Sequence, residues 1–267
     1  MTIARGPGWT LYLGDCVPIM ATLAKVDHVI TDPPYEKEAH TKARRALKDS
    51  SQRRGAVNSG KVRRIDQPLA IDFPAITPAE RDQAAAGFAS LVRRWVLAFC
   101  QIEAVGVWRA SYERGGLEWV RGGVWRKANG APQFTGDRPG QGTESIAIAH
   151  QSGKKRWNGG GRHAFWDVPL DHNAGGGGRA EHPTTKPEKI MLDLVSDFTD
   201  VGETVLDAYA GSGTTGVACL RLGRHFIGIE KSPKFFALAC DRLRAEEQGS
   251  TLQSYRAGQM PLLGGRP

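Results

Sequence analysis

No apolar run in these 267 residues approaches the length of a membrane span, so the sequence predicts no spanning helix. Met1 to Thr10 lacks the basic-then-apolar plan of a signal peptide, and a cytoplasmic location is expected. Cysteine is scarce: Cys16, Cys100, Cys219 and Cys240 are scattered, form no CxxC pair and stand at no metal-ligand spacing with any of the seven histidines. They read as buried thiols, and no metal is expected. Aromatic residues make up 8% of the chain and are missing altogether from residues 36–72. A segment without them cannot bury a core of its own.

What is present describes one catalytic-sized α/β unit. With 40% hydrophobic and 24% charged residues, residues 1–267 are read as a single domain. The formal charge of +8 and pI near 9.5 favour an anionic partner. Much of that charge sits in residues 36–72, where Lys42, Arg44, Arg45, Arg53 and Arg54 belong to a basic excess. This segment is expected to be a mobile loop insertion that contacts phosphates. Residues 129–181, rich in Gly, Pro, Trp and basic residues, read as a second surface insertion. There Lys154, Lys155 and Arg156 lie beside Trp157, with Phe165 and Trp166 following, a mixture suited to phosphate contact and base stacking; its glycine tracts equally suit flexible connectors.

Strands are expected at Leu11 to Leu13, Val26 to Ile30, Trp95 to Phe99, Trp119 to Trp125, Ile146 to Ala149, Thr204 to Leu206 and His225 to Ile229. Helices are expected after Asp15, after Thr77-Pro78-Ala79-Glu80, after Lys186-Pro187, after the glycines at 211–216 and after Ser232-Pro233. The alternation predicts a mostly parallel twisted sheet with helices on both faces, a Rossmann-like α/β fold.

Asp32-Pro33-Pro34-Tyr35 follows the Val26 to Ile30 strand, at the sheet's carboxyl edge. Proline has no N–H, so this rigid turn presents carboxylate and carbonyl acceptors with few competing donors, closed by one aromatic face. Such a set suits the planar amino group of a nucleobase. It also simply ends a strand.

Gly211, Gly213 and Gly216 match GxGxxG after a strand, and Glu230 ends the next strand, where a ribose-binding carboxylate would stand. Asp207 before the glycines would repel a pyrophosphate and better suits a cofactor bearing an ammonium group. S-adenosylmethionine meets both conditions. Asp15 ends an early strand and reads as a helix N-cap or as a ligand.

In ordered motifs the chain resembles the β-class amino-DNA methyltransferases. The resemblance rests on Leu13-Gly14-Asp15-Cys16, Ile30-Thr31-Asp32-Pro33-Pro34-Tyr35, His182-Pro183-Thr184-Thr185-Lys186-Pro187, the run Val205 to Thr215, and Gly228-Ile229-Glu230, with the catalytic motif preceding the cofactor motif in a circularly permuted order. Ala208 and Tyr209 stand where the family usually has proline and phenylalanine. The resemblance implies catalysis by Asp32, Pro33, Pro34 and Tyr35. It implies cofactor contacts by Asp15 and Cys16 near the adenine, by Lys186 near the methionine carboxylate, and by Asp32, Thr184, Asp207, Tyr209, Gly211, Ser212, Gly213, Thr214, Thr215, Glu230 and Lys231. It further implies S-adenosylmethionine as cofactor, double-stranded DNA as partner, target recognition within 129–181, a cofactor-binding half at 182–248, frequent homodimers, and a bacterial or phage origin without metal or membrane. The Asp-Pro-Pro-Tyr form resembles N6-adenine enzymes more than N4-cytosine enzymes. An N4-cytosine or RNA methyltransferase, an NAD-dependent oxidoreductase and an inactive basic nucleic-acid binder are the competing readings.

Overall fold

The computed structural model describes residues 1–36, 74–130, 137, 139–171 and 185–259. Its strands are β1 (Thr2–Gly6), β2 (Trp9–Leu13), β3 (His28–Thr31), β4 (Trp95–Cys100), β5 (Glu118–Arg126), β6 (Thr143–His150), β7 (Phe165–Asp167), β8 (Thr204–Asp207) and β9 (His225–Glu230). Among the described residues they form one nine-stranded sheet in the order β1-β2-β9-β8-β3-β4-β6-β5-β7. The run from β2 through β9, β8 and β3 to β4 is parallel, whereas β6 is antiparallel to both β4 and β5.

Alternation along β4 shows how the layers arise. Trp95, Leu97 and Phe99 enter one core, and Val96, Ala98 and Cys100 enter the other, as the two-residue period of a strand buried on both faces requires. The first core is closed by α4 (Glu188–Phe198), α5 (Thr214–Arg221) and α6 (Pro233–Glu247). The second is closed by α1 (Cys16–Met20), α2 (Pro78–Leu91) and α3 (Val105–Arg114). A short α7 (Leu252–Arg256) packs on α6.

Local signals set several of these boundaries. Thr77 accepts from the Glu80 N–H while the Glu80 carboxylate accepts from the Thr77 N–H, a reciprocal cap with Pro78 opening α2. In α4, Met191, Leu194, Val195 and Phe198 are all buried, the stripe expected from their spacing.

The chain leaving β8 enters α5 on one face, and the next helix described after β3 is α2 on the other. The carboxyl ends of these two adjacent strands therefore frame the crevice that an α/β sheet offers at its switch point. Asp32 and the glycine turn both stand there.

The region 129–181 is not one surface insertion. Thr143–His150 lies inside the sheet between β4 and β5, and its last six residues are buried. Trp157 packs its ring 4.8 Å from Phe198, and Trp166 is buried with its indole N–H donating to Asp197 at 3.0 Å. Trp166 is core and Trp157 packs half-buried against it; of the three aromatics read for stacking, Phe165 alone is largely exposed, at 51%.

Candidate active site

Asp32 is the first residue past β3, and Thr31 ties that strand end to the neighbouring one by donating its hydroxyl to Asp207 Oδ1 at 2.7 Å. Asp32 Oδ2 accepts from Lys186 Nζ at 2.6 Å. Asp32 Oδ1 is buried and, among the described residues, has no hydrogen-bond partner. A buried acceptor without a donor is costly, on the order of 1–3 kcal/mol, and marks a place where a ligand donor is expected. Burial raises the Asp32 carboxyl above its ordinary range, Lys186 pulls it down, and Glu144 pushes it up again.

Lys186 does more than meet Asp32. Its ammonium lies 3.3 Å from Glu144 Oε2 and 3.4 Å from the Tyr35 hydroxyl, and stands over the rings of Tyr35 and Phe99 at 5.4 and 5.0 Å. Burial works against its charge, yet Asp32 and Glu144 together hold its pKa above the ordinary lysine value. Tyr35 donates its hydroxyl to Glu144 Oε2 at 2.6 Å, and Lys127 reaches Glu144 Oε1 at 2.5 Å. Burial would raise Glu144, but Lys186 and Lys127 prevail and hold it down at about 2. Two carboxylates and two ammonium groups thus balance beside the Asp-Pro-Pro-Tyr turn.

The glycine turn forms the other wall. Gly211 and Gly213 have φ of 52° and 78°, backbone that disfavours a side chain, and a Cβ at Gly216 would come within 2.7 Å of Leu243 and Phe226. The third glycine thereby lets α5 approach α6 and β9 closely. Arg242 braces the turn from behind, donating to the Ser212 carbonyl at 2.9 Å, to its hydroxyl at 3.0 Å and to the Thr214 hydroxyl at 2.9 Å, with Glu188 as counter-ion at 3.1 Å.

Asp207, read from the sequence as a partner for an ammonium group, is buried and occupied within the fold. Thr31 and the Tyr209 N–H donate to Oδ1, the latter at 3.1 Å, and Thr215 donates to Oδ2 at 2.6 Å. Burial pushes its carboxyl up to about 6 despite these bonds. Its observed contacts lock the glycine turn to the end of β3. Glu230 accepts from the N–H groups of Gly211 and Ser232, both at 2.7 Å, which leaves lone pairs on each oxygen. Asp15 caps α1 by accepting from the Val17 N–H at 3.1 Å, and Lys231 reaches its other oxygen at 3.1 Å. Cys16 is buried against Tyr209, with which it shares a hydrogen bond, and burial raises its thiol.

The structure therefore gathers Asp32, Tyr35, Lys186, Asp207, the turn 211–215 and Glu230 along one edge of the sheet, with Asp15, Cys16 and Lys231 beside Glu230 at the β2 end. It does not bring Lys154, Lys155 and Arg156 there. They follow His150, which pairs with Trp95 at the amino end of β4, the sheet edge opposite Asp32. Arg156 pairs with Asp200 at 3.1 Å and Lys155 pairs with Glu118; Lys154, Lys155 and Arg156, with Arg94, Asp200 and Glu203, line a cleft of about 630 Å³ with four cations against two carboxylates. The readings at Thr184, Lys42, Arg44, Arg45, Arg53 and Arg54 lie outside the described residues. Sequence reasoning missed Glu144, Lys127 and Arg242. For Glu144 a signal existed: a carboxylate just before the apolar run Ile146 to Ala149, at the start of an antiparallel strand and hence at the carboxyl edge of its parallel neighbours. Among the described residues no group of His, Cys, Asp and Glu could hold a metal, and no helix is long and apolar enough to cross a membrane.

Comparison with known proteins finds likenesses to DNA methyltransferases. Residues 110–241 match the DNA methylase family model for N6 and N4 enzymes. The Type II methyltransferase M2.DpnII of Streptococcus pneumoniae is 32% identical over 51% of this chain and 55% of its own length. The Type II methyltransferase M.XycI of Xanthomonas campestris pv. cyanopsidis is 33% identical over 46% of this chain and 43% of its own. The chain thus spans about half the length of these curated relatives. Among solved structures, the M1.HpyAVI–SAM complex superposes with a TM-score of 0.63 at 26% identity, covering 88% of this chain and 98% of that one. The cytosine-N4-specific PvuII DNA methyltransferase shares the fold at a TM-score of 0.64 and 14% identity, over 94% and 90% of the two chains. A Rossmann-like sheet, an Asp-Pro-Pro-Tyr strand end facing a glycine turn, and these likenesses together make the chain similar to the N6/N4 DNA methylases, whose family model matches residues 110–241.

Proposed function

We propose that the protein transfers a methyl group from S-adenosylmethionine to the exocyclic amino group of a base in duplex DNA, the N6 of adenine being the preferred target. The observation that carries this reading is the buried Oδ1 of Asp32, which has no partner among the described residues, in the same turn as Tyr35. The residues present fit the cofactor: Glu230 keeps acceptor lone pairs for ribose hydroxyls, and the turn at Gly211 and Gly213 offers a side-chain-free backbone wall. Lys231, Asp15, Cys16 and Tyr209 would flank its adenine, and Thr184 is retained from the motif resemblance. When bound, the cofactor supplies an electrophilic sulfonium methyl.

The chain's own contribution is to the amine. An amino nitrogen on an aromatic ring delocalises its lone pair, so the site must favour a more tetrahedral nitrogen and hold it in line. Asp32 Oδ1 and the Pro33 carbonyl accept its two N–H bonds and stabilise positive charge growing there, worth roughly 3–4 kcal/mol per well-placed group. Alignment near 3 Å adds up to about 7–11 kcal/mol in favourable cases. Tyr35 stacks on a base extruded from the duplex, offsetting an unstacking cost of a few kcal/mol. Phosphate contacts from the basic segment 36–72 belong to this proposal, as does pairing of two chains.

The reading is tested by incubating the protein with mixed-sequence duplex DNA and isotopically labelled S-adenosylmethionine, then identifying the labelled nucleoside. N6-methyladenine supports the full proposal, N4-methylcytosine redirects it to the second amino base, and label on neither base overturns it. The cytosine alternative is kept because cytosine presents the same amine beside a ring nitrogen to Asp32.

A further inference from the structure

Glu144 belongs to no motif read from the sequence, yet its carboxylate is the meeting point of the site. It stands near the start of β6, is almost fully enclosed at 11% side-chain exposure, and accepts from three donors: Tyr35 Oη at 2.6 Å, Lys127 Nζ at 2.5 Å and Lys186 Nζ at 3.3 Å. Lys186 in turn lies 2.6 Å from Asp32 Oδ2. One ammonium is thus divided between two carboxylates, and the second carboxylate also fixes the hydroxyl of the ring expected to stack on a base.

We propose that Glu144 is a positioning residue of this site: it anchors Tyr35 and shares the Lys186 ammonium with Asp32, so that Asp32 keeps one oxygen open and electron-rich for the incoming amine. The inference rests on the reading of Asp32 as the amine's acceptor. Its physical basis is charge balance. With Glu144 ionised, Lys186 has two anions to satisfy and Lys127 supplies the second cation. With Glu144 neutral, the whole Lys186 charge falls on Asp32, whose carboxylate then becomes a poorer acceptor for a third party. Buried charges exert such effects strongly because little water screens them.

The groups that face Asp32 are Lys186, Glu144 and Tyr35 directly, with Asp207 and Cys100 electrostatically coupled to it from β8 and β4. Removing the Glu144 charge takes away one of the influences that raise Asp32. The Asp32 titration must then move to lower pH, by on the order of 1 unit. A purely structural role for Glu144 would leave that titration in place.

The experiment is a carboxylate carbon NMR titration of the full chain, wild type against Glu144→Gln and Glu144→Asp, with the Asp32 resonance identified by its loss in Asp32→Asn. A lower midpoint in Glu144→Gln, returning towards the wild-type value in the charge-conserving Glu144→Asp, supports the inference; the same midpoint in all three proteins overturns it. Steady-state methyl transfer forms the second arm. Glu144→Gln should lower kcat by about 10-fold to 100-fold, the scale of a misplaced catalytic group, while KM for S-adenosylmethionine stays put. An unchanged kcat overturns the inference, as does a loss expressed only in that KM. The titration needs no substrate, so absence of methyl transfer by the wild type would sink the functional reading, while charge sharing would still be decided by the NMR midpoint.

Discussion

Lys186 Nζ lies 2.6 Å from Asp32 Oδ2 across 154 residues of sequence, joining the segment that leads into α4 to the strand end that carries the Asp-Pro-Pro-Tyr turn. Family resemblance assigns this lysine to the cofactor's carboxylate, but here it is bonded to the proposed amine acceptor. The two roles compete for one ammonium. Lys186→Met should therefore impair both, raising KM for S-adenosylmethionine and lowering kcat, whereas a role in cofactor binding alone would leave kcat at saturation unchanged. Initial rates at varied cofactor separate the two.

Glu230→Ala should weaken S-adenosylmethionine binding, because two hydroxyl donors would lose a charged acceptor worth on the order of 1.5–3 kcal/mol each. The same carboxylate holds the N–H groups of Gly211 and Ser232, so Glu230→Gln, which keeps one acceptor oxygen, should lose less. Calorimetry of the three proteins checks the order; unchanged affinity in Glu230→Ala removes the ribose assignment.

Asp207 supplies a pH test of the locked turn. Burial pushes its folded-state pKa from an ordinary 3.8 up to about 6, so the folded chain holds this proton more tightly than the unfolded chain. The stability so contributed is complete below about pH 4 and is lost as pH rises through about 6. Between those limits the wild type should lose up to about 3 kcal/mol relative to Asp207→Asn, which cannot titrate. Denaturant unfolding of both proteins from pH 4 to pH 8 measures the difference. Parallel curves would mean that the carboxyl is not raised.

Two basic clusters should behave oppositely. Neutralising Arg44, Arg45, Arg53 and Arg54 should weaken binding to all DNA sequences alike and flatten its salt dependence. Neutralising Lys154, Lys155 and Arg156, which follow β6 at the sheet edge away from Asp32, should change neither. Equal losses from both sets would place DNA on a surface that the fold turns away from the crevice.

How much of this was legible in the sequence follows from the range of each signal. The Asp-Pro-Pro-Tyr strand end, the glycine turn and the Thr77–Glu80 cap are local patterns, and the structure forms all three where their residues stand. Lys127 and Arg242 were invisible because their partners arrive from distant elements: Arg242 on α6 acquires its meaning from Ser212 and Thr214. Composition misled at Trp157 and Trp166, whose basic and glycine-rich neighbours suggested a nucleic-acid surface although both indoles pack with Phe198. The strand expected at Ile146 to Ala149 is longer, Thr143–His150, and its place between β4 and β5 was not legible from the composition around it.

The open oxygen of Asp32 is proposed to act on the amine and not on the cofactor. Single-turnover transfer of isotopically labelled methyl to duplex DNA by Asp32→Ala, paired with cofactor affinity by calorimetry, tests it most directly. Transfer should be abolished while S-adenosylmethionine affinity stays largely intact. Near-normal transfer by Asp32→Ala would contradict it.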